Sequence, residues 1–133
     1  MLTLSLLSLL KKSSNARIIN VASTAYITGR IHFENINLEN NAYTPLIAYG
    51  QSKLANVLFT RELAKRLGKN SNIRVYCLQP GFIKSDLWRH SSNMWFFNFI
   101  SRVFFLDIEK GAQTTLFCAL EESLDHETGF FYE

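Results

Sequence analysis

Apolar positions along the chain change their spacing several times, and each change marks an element. The opening run, Met-Leu-Thr-Leu-Ser-Leu-Leu-Ser-Leu-Leu, predicts a helix over about 2–12, and Arg17-Ile18-Ile19-Asn20-Val21-Ala22 predicts a buried strand over 17–22. A long loop runs to about 44. Leu54, Val57, Leu58, Phe59, Leu63 and Leu67 then give a broad apolar face to a helix over 46–67, which Gly68 is placed to stop. Ile73-Arg74-Val75-Tyr76-Cys77-Leu78 predicts a strand that Gln79-Pro80-Gly81 halts. The stretch 82–106 is expected to be irregular with short helices, 109–122 a helix, and Gly129-Phe130-Phe131-Tyr132 a last strand. Strand and helix in alternation argue for βαβ crossovers and a parallel sheet, whose ligand crevice lies beyond the carboxyl ends of its strands. That rule puts Ser23 and the Pro80-Gly81 turn on one rim, with Tyr49 and Lys53 on the helix between.

Composition agrees with one globular domain: 133 residues, 47% apolar and 19% charged. A net charge of +3 is small and scattered, and Arg61, Lys65 and Lys69 read as a solvated helix face, so nucleic acid is not expected as a partner. Cys77 and Cys118 stand apart with no CxxC or Cys/His cluster, so they read as buried thiols in a reducing compartment, with no metal site. The leucine-rich start lacks the basic residues and cleavage site of a signal peptide and is expected to be a buried helix. Ser8-Leu9-Leu10-Lys11 fits a Ser-x-x-Lys pattern but has none of its companion motifs, and chance explains it. The aromatic stretch 94–106, interrupted by Asn98 and Arg102, is too short to span a bilayer, yet apolar enough to touch one or to cover an apolar substrate.

The chemistry centres on Tyr49 and Lys53. Four residues apart on a helix, they place a phenol and an ammonium on one face, and a cation beside a phenol favours the ionised form. Ser23 closes the first strand with a hydroxyl. Each has a plainer reading: Tyr-x-x-x-Lys is common in helices, a serine can cap a turn, and Pro-Gly is first of all a turn. His32, His90 and His126 have no spaced partners and read as surface or packing residues.

Taken in order, Asn20-Val21-Ala22-Ser23, Tyr49-Gly50-Gln51-Ser52-Lys53 and Pro80-Gly81-Phe82-Ile83-Lys84-Ser85 resemble the second half of a short-chain dehydrogenase/reductase. Gly29-Arg30-Ile31-His32-Phe33, Ser52-Lys53-Leu54-Ala55-Asn56 and Gly111-Ala112-Gln113-Thr114 look most like the retinol dehydrogenase branch. The resemblance implies that Tyr49 is the general acid or base, that Ser23 orients the substrate oxygen, and that Lys53 favours the tyrosinate while holding the ribose of a nicotinamide cofactor. It places Pro80, Gly81, Ile83 and Ser85, with Tyr49 and Lys53, against that cofactor, NADP or NAD with NADP favoured. Residues 86–106 would form a substrate lid.

The same resemblance implies an α/β fold, a partial Rossmann-like doubly wound parallel sheet lacking its first strands and glycine-rich loop. No Gly-x-x-x-Gly-x-Gly or Gly-x-Gly-x-x-Gly occurs in the 133 residues, and the family's asparagine before the serine strand has no counterpart. The chain is thus expected to be a single truncated catalytic half, 1–133, of an NAD(P)-binding domain. Its full-length parent is expected to be intracellular, at the endoplasmic reticulum membrane or in the cytoplasm. The expected partners are a small apolar alcohol or carbonyl substrate such as a retinoid, a second copy in a homo-oligomer, and a membrane surface. The alternative reading is a catalytically inactive fragment serving only as a binding or dimerisation module.

Overall fold

The computed structural model of the chain describes residues 2–81 and 108–133. Its elements run α1 (Leu2–Leu10), β1 (Ala16–Val21), α2 (Pro45–Leu67), β2 (Ile73–Leu78), α3 (Ile108–Leu120) and β3 (Phe131–Tyr132). Short 3-10 turns cover Thr24–Thr28, Phe33–Asn35 and Glu122–His126. The three strands form one parallel sheet in the order β1-β2-β3, with Ala16 opposite Ile73 and Val21 opposite Leu78. The α/β class and the parallel sheet are as expected from the alternation of elements.

Side chains alternate across a strand, so β2 buries two sets of residues. Ile73 and Val75 join Ala16 and Ile18 of β1 beneath Leu63 and Ala64 of α2, with Leu7 and Leu10 of α1 at the margin. Cys77 continues this face with Ala22, Val57, Tyr26 and Phe131. Tyr76 and Leu78 point the other way, against Cys118 of α3, Leu124, Ile19 and Tyr132. Helices therefore cover both faces of the sheet, and β2, the central strand, reads as a nearly continuous apolar run because both its faces are buried.

Arg17 locks α3 to the sheet. Its guanidinium donates to the carbonyls of Cys118 and Glu121 at 3.1 and 2.8 Å and to Asp125 Oδ1 at 2.6 Å. A cation at the carboxyl end of a helix satisfies orphan carbonyls and opposes the helix dipole. Hydrogen bonds from Asn15 and Arg17 hold the Asp125 carboxyl below the usual range. Arg74 adds a bond from Nε to the Asp125 carbonyl at 2.5 Å. The carboxyl end of α1 is tied by Asn72, whose Nδ2 donates to the carbonyls of Lys11, at 3.2 Å, and Ser13.

Three expectations need correction. The first helix forms but is not buried: Leu7 and Leu10 pack on the core, while Leu2 is 75% and Leu9 62% exposed, because nothing among the described residues covers the helix's other sides. Leu58 and Phe59 of α2 are also exposed, at 46% and 36%, and the buried positions are Gly50, Val57, Thr60, Leu63 and Ala64, a narrower stripe that admits small and polar residues. The last strand shrinks to Phe131–Tyr132, although Gly129 N already donates to the Val75 carbonyl at 2.7 Å. Cys77 and Cys118 are buried free thiols, as read.

Candidate functional site

The site lies where β1 and β2 end and α2 begins. Thr44 caps α2, its Oγ1 accepting from Ile47 N at 3.2 Å, and Pro45 occupies the first turn, where a missing N–H is harmless. That start sets the helix register. Tyr49 and Lys53 follow one turn apart, both half-buried, with the Lys53 ammonium 5.3 Å from the centroid of the Tyr49 ring. At this distance the cation is attracted by the ring face. Lys53 Nζ also donates to the Val21 carbonyl at 3.3 Å, which ties the first turns of α2 to the last residue of β1.

Ser23 lies two residues beyond Val21. It caps the 3-10 turn Thr24–Thr28 from an extended backbone, its Oγ accepting from Ala25 N at 3.3 Å. The turn then presses on α2 through two glycines. A Cβ on Gly29 would collide with the Gly50 carbonyl, and one on Gly50 would meet the Ala25 carbonyl at 3.3 Å. Segment 23–29 therefore sits against the helix beside Tyr49. The Tyr49 hydroxyl makes no hydrogen bond among the described residues, and the Ser23 O–H has no acceptor there.

Ala22 N donates to the Leu78 carbonyl at 2.7 Å, so Ser23 and Pro80 leave neighbouring strands at the same end of the sheet. Gly81 follows with φ 79°, in the left-handed region that favours glycine. Ser23, Tyr49, Lys53, Pro80 and Gly81 thus share one rim. Ile83, Ser85 and the lid expected over 86–106 lie outside the described residues.

Several polar residues around the rim lie within the motif stretches but have no role assigned from the sequence. Gln51 accepts from His32 N and donates to the Ile36 carbonyl, both at 2.9 Å, and so holds the loop after Gly29 onto α2. Asn20 Nδ2 donates to Thr60 Oγ1 at 2.8 Å, and Thr60 in turn donates to the Asn56 carbonyl at 2.9 Å. Asn56 Nδ2 reaches the Val21 carbonyl at 3.1 Å, beside Lys53. Their places in those stretches, and polar residues recurring on the inner side of an otherwise apolar helix, are the signals that the sequence offers. Cys77 lies near this network, but burial pushes its thiol up, which disfavours the nucleophilic thiolate.

Residues 1–94 match the family model described as short chain dehydrogenase. The chain belongs to this family. Among curated proteins it is 48% identical over 129 residues to retinol dehydrogenase 11 of Homo sapiens, covering 94% of this chain and 39% of that protein. Against human retinol dehydrogenase 12 it is 43% identical over 132 residues, covering 99% and 41%. The chain thus spans about two fifths of the length of these short-chain dehydrogenase relatives. A solved uncharacterized protein from Mycobacterium paratuberculosis superposes with a TM-score of 0.63 at 32% identity, over 88% of this chain and 37% of that one. An actinorhodin polyketide ketoreductase solved with NADPH shares the fold, with a TM-score of 0.62 at 20% identity over 96% and 47%. The sheet described above is accordingly part of a Rossmann-like family fold, and the retinol dehydrogenases are the branch it resembles.

Proposed function

We propose that this chain carries the catalytic rim of an NAD(P)-dependent oxidoreductase acting on an apolar alcohol, aldehyde or ketone such as a retinoid. The observation that carries the reading is the position of Lys53: its ammonium lies over the Tyr49 ring and reaches the end of β1, two residues before Ser23. A nicotinamide cofactor suits this donor set at its ribose end, because Lys53 offers N–H donors beside a phenol whose hydroxyl is unengaged among the described residues. When bound, the cofactor supplies or accepts the hydride. NADP is favoured over NAD by the resemblance to the retinol dehydrogenase branch.

Tyr49 then exchanges a proton between its Oη and the substrate oxygen, Ser23 donates its O–H to that oxygen and orients it, and Lys53 holds the ribose hydroxyls. By the family resemblance, Pro80, Gly81, Ile83 and Ser85 would lie against the nicotinamide end of the cofactor, and 86–106 would cover the substrate. The retinol dehydrogenase names of the similar proteins support an apolar substrate. Retinal reduction with NADPH by wild type and Tyr49→Phe tests the reading: a rate that depends on Tyr49 supports it, and equal rates overturn it.

A second reading has its own observation. Leu2, Leu4, Leu6 and Leu9 of α1 are exposed, and β1 has no strand on its outer side among the described residues. Such surfaces invite association, as in a binding or dimerisation module that turns nothing over. Micromolar binding of NADPH, followed by nucleotide fluorescence, separates the two, since a passive module binds none. Membrane-surface contact through 94–106 predicts co-sedimentation with liposomes, and no described helix is long and apolar enough to cross a membrane.

A further inference from the structure

Lys53 and Asn56 donate to one acceptor. Ala16 N and Ala22 N donate to the carbonyls of Asn72 and Leu78, so the backbone of even-numbered β1 residues faces β2, and that of Arg17, Ile19 and Val21 faces the outer edge. The Val21 carbonyl therefore has no strand partner among the described residues. Two side chains of α2, one turn apart, take its two lone pairs: Asn56 Nδ2 at 3.1 Å and Lys53 Nζ at 3.3 Å. Asn56 itself is held in place, because its own carbonyl accepts from the fully buried Thr60, which Asn20 of β1 anchors.

We propose that Asn56 is a positioning residue for Lys53: by satisfying the Val21 carbonyl, it frees the lysine amine to turn toward a ligand hydroxyl. The proposal rests on the reading of Lys53 as the amine that holds the ribose. With Asn56 present, Lys53 leaves a carbonyl that keeps one donor. Without it, Lys53 is that carbonyl's sole partner among the described residues, and each departure breaks a charge-assisted bond and leaves the carbonyl without a donor there.

The test reads Lys53 directly and needs no turnover. The folded chain is treated with a limiting amine-acetylating reagent, and each lysine is quantified by mass spectrometry. In Asn56→Leu, which keeps the branched shape and removes the donor, Lys53 acetylation is expected to slow about fivefold relative to the other lysines, because the amine then serves a carbonyl that has lost its second donor. Asn56→Ala, also lacking the donor but opening space, is expected to slow it too, which separates bonding from shielding. Asn56→Gln is expected to restore most of the rate. Tyr76→Phe, on the opposite face of the sheet, is expected to lower the melting temperature without slowing Lys53, as a purely structural change would. An unchanged or faster Lys53 in both Asn56→Leu and Asn56→Ala overturns the proposal. Nucleotide binding is measured in parallel: if no variant binds NADPH, the oxidoreductase reading fails, while the labelling result still decides whether Asn56 governs Lys53.

Discussion

Tyr76 and Tyr132, on the α3 side of the sheet, and Tyr49, at the start of α2, carry the same phenol in opposite circumstances. Tyr76 is fully buried and donates to the Leu124 carbonyl at 2.6 Å; burial pushes its pKa up, with Arg17 opposing. Tyr132 donates to Glu127 Oε2 at 2.6 Å, and burial followed by that carboxylate raises its pKa strongly. Both hydroxyls are committed. Tyr49 sits half-buried beside a cation, with its hydroxyl unengaged among the described residues. The α3 flank consumes its polar groups in holding the fold, as Arg17 does with three acceptors, while the α2 rim keeps a phenol and a serine hydroxyl available. A tyrosine becomes a candidate for chemistry when the fold leaves its proton without a fixed acceptor.

The sharpest way to break this contrast is to remove each phenol oxygen in turn. Tyr49→Phe should lower turnover by about a thousandfold, the scale of lost general acid or base catalysis, while leaving the melting temperature unchanged. Tyr76→Phe should do the reverse, costing about 1–3 kcal/mol of stability because the buried Leu124 carbonyl loses its donor. Thermal melts and rates on both variants check the pair, and a Tyr49→Phe chain that loses stability as Tyr76→Phe does would erase the distinction.

A smaller but broader effect is expected where the rim is fitted together. Gly29→Ala drives a Cβ into the Gly50 carbonyl, so the turn after Ser23 must lift from α2, at a cost of about 3 kcal/mol, with a loss of activity out of proportion to unfolding. Circular dichroism melts with activity assays measure both consequences.

The α3 latch should respond to pH. The folded Asp125 carboxyl has a lowered pKa, so its contribution is fully present above the unfolded value of about 3.9 and is lost as pH falls through the lower folded value. Melting temperatures of wild type should therefore drop below about pH 4 more steeply than those of Asp125→Asn, which lacks the titrating group. The smallest effect belongs to the exposed Glu62–Arg66 pair on α2, where Glu62→Gln should leave the melting temperature within error at physiological salt.

Much of this molecule is written in local pattern. The two strands Ala16–Val21 and Ile73–Leu78 and the helix Pro45–Leu67 follow from apolar runs, a Thr-Pro start and a glycine stop, all of which act over a few residues. The Tyr49–Lys53 spacing is equally local, since one helical turn suffices to bring the two together. Other features depend on contacts between distant segments, which no short window contains. Which leucines of α1 and α2 are covered depends on what packs above them, so the first helix was expected to be buried and is not. The fit of Gly29 against Gly50, the hold of Gln51 on the loop, and Arg17 spanning to α3 join residues roughly 20 to 100 positions apart. The convergence of Lys53 and Asn56 on the Val21 carbonyl is of the same kind. Helical spacing puts those two side chains on one face, but the acceptor they share comes from a strand 32 residues earlier, and only the packing of α2 across β1 delivers it.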